Sequence, residues 1–283
     1  MAFIEFVLDN DSCFWNWSEL SSNPNIFFED VLRNPEQPWD YIELSRNPNI
    51  TLDIVDSHPE IKWSYSGLTK NPNNTMDVMK RRTDILWDRR VLSENPSITW
   101  ECIQSNPYIK WDYSYISQNS NITWDIIYNN KDRFIYCDKE ISGNPNISWD
   151  IVTSSSKQIA WDYNSLASNP AITFHDIYDS LIPRDGESVM NHKIPNSNVS
   201  FMWCWYGLSK NPNVTWEMIQ SEDDEFKNVK WNSYFLCMNP NINIKIIKEN
   251  PQFHYYTIIS KNKMDYYPWY LVKSLSPEPY ILK

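Results

Sequence analysis

The residues of this chain that could do chemistry are its recurring acids, its histidines and cysteines, and one knot of basic side chains. Glu29, Asp53, Asp77, Glu101, Asp125, Asp150 and Glu217 return at regular intervals. Paired carboxylates of this kind can serve as general acid and base when a fold brings them together. His58, His175, His192 and His254 are far apart and show no metal-ligand spacing. Cys204 stands between Trp203 and Trp205, where related segments have Asp, and a thiol there is either a small filler or a reactive group. Lys80, Arg81, Arg82, Arg89 and Arg90, in the stretch KRRTDILWDRR, form a basic island. Such an island is a solvated surface, or it meets a phosphate backbone or an acidic protein. No Gly-x-Ser-x-Gly, Walker or His-Glu-x-x-His motif is present, and 4 Gly against 18 Pro leaves little for phosphate-cradling loops.

The elements that must position these residues come from an internal repeat. An Asn returns at Asn23, Asn47, Asn71, Asn95, Asn119, Asn144, Asn169, Asn211 and Asn239, at spacings of 24, 24, 24, 24, 25, 25, 42 and 28. Each unit reads as two helices. Before the first aromatic of a unit stands Thr51, Thr75, Thr99, Thr123, Ser148, Thr173, Thr215 or Asn243, with Phe27 in that place in the first unit. Thr, Ser and Asn oxygens accept from the free N–H groups of a helix start. The recurring acid follows in the first turn and complements the helix dipole, which explains it without catalysis.

In the second half an aromatic (Trp15, Trp39, Trp63, Trp87, Trp111, Tyr136, Trp161, Trp203 or Trp231) precedes a Leu or Ile by five residues. The spacing predicts helices of about seven to nine residues, too short to stand alone in water. The Asn of each Asn-Pro is expected to end a helix in the left-handed conformation, with Pro preventing continuation. The regularly spaced indoles are expected to be core mortar between repeats rather than a platform for stacked bases.

The expected architecture is all-α: an α-solenoid of about nine 24-residue helix-turn-helix repeats with terminal caps. Residues 1–22 form an N-terminal cap and partial repeat, 23–260 the solenoid, and 261–283 a C-terminal cap. The long unit after Asn169 places a Pro-, Asn- and Ser-rich rim loop at about 182–200, containing Arg184, Asp185 and His192.

The motif Asn-Pro-Asn-Ile-Thr-(Trp/Leu)-Asp-Ile-(Ile/Val), followed by Trp-Asp-Tyr-x-x-Leu-Ser-x-Asn-Pro, is carried best by Asn47–Val55, Trp111–Ser117 and Asn144–Val152. It resembles the tandem-repeat proteins of mimivirus-like giant viruses over roughly residues 11–260. The resemblance implies a viral origin and a repeat scaffold, and brings no catalytic residues.

A net charge of −11 lowers the expectation of nucleic-acid binding. Five scattered cysteines without a CxxC pair suggest a reducing compartment. There is no convincing signal peptide and no long uncharged apolar run, so neither secretion nor a membrane partner is expected. The Asn-x-Ser/Thr sequons at Asn49, Asn121, Asn146 and Asn213 fall inside the repeat, where glycosylation is not needed to explain them.

The reading is a non-enzymatic scaffold for protein–protein interaction or viral assembly, with no cofactor and no metal. Its place is the host cytoplasm or viral factory, with the virion as a further location. The candidate partner-binding residues are Lys80, Arg81, Arg82, Arg89, Arg90, Arg184, Asp185 and His192. The alternative is a helical-repeat RNA-binding protein using the basic island at residues 80–90.

Overall fold

The computed structural model describes residues 3–10, 13–155, 158–179, 202–223, 226, 229–250 and 259–262. Among these residues the fold is all-α, with many short helices. First helices such as Leu52–Ser57, Met76–Arg81, Trp100–Ser105 and Trp124–Asn129 alternate with second helices such as Tyr41–Ser45, Tyr65–Lys70 and Tyr163–Ala167. The predicted starts are where they should be, although Ser148 makes no side-chain cap bond. Thr75 Oγ1 accepts from Val78 N at 3.3 Å, Thr99 Oγ1 from Cys102 N at 3.3 Å, and Asn243 Oδ1 from Ile246 N at 3.1 Å. Where Phe27 replaces the capping side chain, Asp30 accepts from Phe27 N at 2.9 Å instead.

The helices are shorter than their spacing suggests: both Leu52–Ser57 and Met76–Arg81 have six residues. The helix Met202–Lys210, with nine residues and Trp203 within it, has the expected length; elsewhere, as at Trp39, the Trp of the second half stands outside the helix. Trp39 precedes the helix start, and Asp40 caps the helix by accepting from Ile42 N and Glu43 N.

The recurrent Asn is not left-handed. Asn23 has φ −70° and ψ 128°, and Asn71 has φ −66° and ψ 129°. The following Pro disfavours helical angles at the residue before it, so the backbone is extended there. This geometry turns the amide side chain toward the preceding repeat. Asn71 Nδ2 donates to the backbone oxygens of Ser45 at 3.0 Å, Asn47 at 2.8 Å and Ile50 at 3.0 Å. Its Oδ1 accepts from Asn73 N at 2.9 Å. The same set recurs at Asn47, Asn95, Asn144, Asn211 and Asn239.

The second Asn of the motif adds a parallel seam nearer the surface. Asn49 Nδ2 donates to Pro24 O at 2.7 Å and Ile26 O at 2.9 Å, and Asn146 and Asn213 do the same one layer back. The amide nitrogens of three sequons, at Asn49, Asn146 and Asn213, are therefore spent inside the fold.

The ladder satisfies buried backbone oxygens that short helices leave unpaired at their ends. Around it lies the aliphatic core, with Leu20, Ile26, Leu44, Leu166, Ile172 and Leu208 fully enclosed. A buried Ser or Thr links second helices across layers. Ser45 Oγ donates to Tyr41 O at 2.6 Å and accepts from Ser64 N at 2.9 Å, and Thr69 does the same with Tyr65 O and Asp88 N.

The indoles flank this core rather than fill it. Trp39 and Trp161 are buried, whereas Trp63, Trp87 and Trp111 are half-buried. The rings still tie one layer to the next, as in the edge-on Trp17–Trp39 pair at 5.0 Å and the Trp124–Trp161 pair at 6.1 Å. Their N–H groups fasten the turn before the second helix. Trp39 Nε1 donates to Asn34 O at 2.8 Å, Trp63 Nε1 to His58 O at 3.0 Å and Trp87 Nε1 to Arg82 O at 2.9 Å. Tyr136 breaks the pattern. Its φ is 66°, and the residue is 96% exposed where units such as those of Trp39 and Trp161 place a buried indole.

The residues group into two compact units. One comprises the described residues of Met1–Ile116 and Asn243–Tyr266, and the other those of Ser117–Ile242. In the first unit, Ile259–Asn262 lie against the first repeat on the side away from Asn47. Asn23 Nδ2 donates to Ser260 O and Asn262 O, both at 2.9 Å. This repeats what Asn47 does to Ser21 O and Asn23 O, also both at 2.9 Å. In the second unit the helices Tyr163–Ala167 and Met202–Lys210 pack closely. A methyl on Gly207 would run into Ala167 Cβ and Asn164 O, so no side chain fits there without movement.

Candidate functional site

The basic island divides into bonded and unbonded groups. Arg82 follows the helix Met76–Arg81, and its guanidinium lies between two carboxylates. It donates from Nη2 to Asp84 Oδ2 at 2.7 Å and to Asp56 Oδ1 at 2.9 Å, and from Nη1 to Asp56 Oδ2 at 3.1 Å. These bonds raise the Arg82 pKa further above its ordinary value, Asp84 contributing most. In return the Arg82 hydrogen bond holds the Asp84 carboxyl below the usual carboxylate range. Arg90 bonds Asp88 through Nε at 2.9 Å and Nη2 at 2.8 Å, and this lowers the Asp88 pKa. Arg82 and Arg90 are thus engaged within the chain, and Arg82 joins Asp56 of the preceding repeat to Asp84 of its own.

Lys80, Arg81 and Arg89 are exposed and make no ion pair among the described residues. Leu86 lies between them in sequence and is 70% exposed, and Tyr108 in the next repeat is 72% exposed. Arg184, Asp185 and His192, with the predicted loop at 182–200, lie outside the described residues, as does the predicted cap from 263 onward.

The acids at the first turns stay on the surface. Glu29, Asp53, Asp77, Glu101, Asp125, Asp150 and Glu217 are all exposed. His58 Nδ1 lies 3.0 Å from Glu60 Oε1. The Glu60 pKa is lowered first by a backbone hydrogen bond and then by His58. His175 packs beside Phe174 and Phe226. No group of three or more His, Cys, Asp or Glu able to hold a metal exists among the described residues. The side chain of Cys204 lies outside them. No helix of the described residues is long and apolar enough to cross a membrane.

The second unit has a hollow of about 310 Å³ beside the irregular turn, lined by Trp124, Tyr128, Phe134, Tyr136, Asp138 and Gln158 among others. Lys131 Nζ stands 4.4 Å from the Tyr128 ring centre on its rim. Sequence reasoning missed this hollow. The signals were the single added residue between Asn119 and Asn144, and a Tyr in the Trp position.

The exposed large apolar side chains recur in some repeats and not in others. Phe14, Leu86 and Ile135 each stand just before the aromatic of their unit, and Leu32 and Tyr128 each lie nine residues after the ladder Asn, whereas Tyr108 stands where the adjoining repeats have charged residues. No family model, curated protein or solved structure matches the chain.

Proposed function

We propose that the protein is a non-enzymatic helical-repeat scaffold, an α-solenoid of about nine 24-residue units, that binds a protein partner. One contrast carries the reading. The enclosed positions hold the same few residue types in unit after unit, Asn, Leu or Ile, and Ser or Thr, whereas the exposed positions change from one unit to the next, Leu86 and Tyr108 standing where the adjoining repeats have charged residues. A frame made of repeated parts with individual exposed apolar side chains suits specific contact with another protein. The resemblance to giant-virus repeat proteins adds a viral assembly as its setting, with the host cytoplasm or viral factory as its place.

RNA binding is the weaker reading, because two of the five island residues, Arg82 and Arg90, are already bonded to carboxylates of the chain. The test is capture from infected cells with and without nuclease treatment, with the wild type beside a Leu86→Asp, Tyr108→Ala chain. The scaffold reading expects a stoichiometric protein that stays with the wild type at moderate salt and is lost from the double variant. Recovery of nucleic acid alone, lost with rising salt and on changing Lys80, Arg81 and Arg89 to Glu, overturns it in favour of RNA.

A further inference from the structure

Within the first unit, the earliest repeat rests on a segment more than two hundred residues later in the chain. Asn23 reads Ser260 O and Asn262 O. Asn16 N donates to Ser260 Oγ at 3.1 Å, as Asp40 N does to Ser21 Oγ at 2.9 Å. Lys261 Nζ pairs with Glu19 Oε1 at 3.0 Å, and Lys248 Nζ stands 5.5 Å from the Phe6 ring centre. Ile259, Ser260 and Asn262 are fully buried there. Ile259–Asn262 thus offer Asn16, Glu19 and Asn23 the contacts that one layer of the repeat offers the next, in register.

Two physical features set this seam apart from the interior ones. Each interior layer is tied to the next by a few residues of chain, so a parted interior seam recloses at very high local concentration. The seam at Asn23 has no such short tether. Asn23 and Ser260 on its two sides are 237 positions apart along the chain. Its contacts are also made to groups that every copy of the chain carries, so an identical segment from another molecule satisfies all of them.

We propose that this seam is an exchange site, and that its alternative occupant is the segment Ile259–Asn262 of a second copy of the chain. The result is a reciprocal dimer in which each copy completes the other's first unit. It needs no surface beyond the one already formed within the molecule.

Charge reversal across the Lys261–Glu19 pair tests this in the full chain. Glu19→Lys places two lysines at a molecule's own seam, and Lys261→Glu places two glutamates there. Mixing the two variants lets each edge meet an opposite charge from the other copy. After brief exposure to sub-denaturing urea and its removal, light scattering and native mass spectrometry measure the dimer. The expected result is a mixed dimer at least about threefold more abundant than the dimer in either variant alone. The double variant Glu19→Lys, Lys261→Glu restores the internal pair and is expected to return to the wild-type dimer level. A mixture with no more dimer than the separate variants overturns the proposal. Should either single variant fail to fold by circular dichroism, wild-type chains of two isotopic masses are mixed instead. Dimers of intermediate mass are then expected, and their absence overturns the proposal equally.

Discussion

At the scale of single residues, the side chain that does most is an amide. Two or three backbone oxygens converge on a ladder Asn, three of them and one N–H on Asn71, so the residue is required for what its amide reaches and not for how its backbone turns. Part of this was legible. Asn119 is kept although Ser120 replaces the usual Pro, which marks the Asn as the indispensable member of the pair. What hid the rest is that a side chain reaching across repeats leaves no local pattern.

Tyr136 is the opposite case, a residue out of place. A φ of 66° strains a non-glycine backbone, and its exposed ring buries little in return. Tyr136→Gly is expected to raise the unfolding free energy by about 0.5–1 kcal/mol, the strain relieved less the added freedom of the unfolded chain. Urea titration measures it, and a loss of stability would show that the ring does more than point outward.

The aspartates beside the basic island give a sign-defined pH response. Asp84 and Asp88 have folded pKa values below their unfolded ones. Their contribution is therefore present above the ordinary Asp value of about 3.9 and disappears as pH falls through the lower folded values. NMR titration is expected to place both midpoints below that ordinary value, and Arg90→Ala to return Asp88 toward it while leaving Asp84 unchanged. An unmoved Asp88 midpoint contradicts the pairing.

At the scale of elements, the alternation of two helices was readable because caps are local chemistry. Thr or Asn at the start and an acid one turn in are written in adjacent residues. Helix length was not readable. The spacing between Asn residues includes extended stretches such as the one before Tyr41, where Trp39 sits outside the helix and bonds Asn34 O. Depth was also misjudged. Indole size suggests the centre of the core, yet the ring N–H of Trp39, Trp63 and Trp87 bonds an oxygen at the turn, which holds those rings toward the flank while Leu and Ile go inside. Trp161 and Trp231 depart from this, with a buried N–H that finds no partner among the described residues.

Packing between second helices sets a further expectation. A methyl on Gly67 would meet Ile42 O and Ser45 Cβ, so Gly67→Ala should cost about 1–3 kcal/mol by overpacking, despite its better helix propensity. A melting temperature equal to or above the wild type's would mean that the two helices separate without penalty.

At the scale of the whole molecule, the period told where the repeats are, but not that the last described segment serves the first. The count of ladder residues ends at Asn239 by eye because the next one, Asn262, lacks the Pro and the following Ile of the motif. Its role shows only through Asn23, from the other end of the chain. The candidate interaction surface was legible as a cluster of basic residues. Its division into bonded and unbonded groups was not, because Asp56 lies one repeat away from Arg82.

The account stands or falls on the amide ladder as the bond between repeats, and urea unfolding of Asn71→Ala beside Asn129→Ala measures it most directly. Asn71 is fully buried, with three carbonyls and one N–H depending on it, whereas Asn129 is exposed at the end of its helix. The predicted result is a loss of about 3–5 kcal/mol for Asn71→Ala and less than about 0.5 kcal/mol for Asn129→Ala. Equal, small losses at both positions would contradict it.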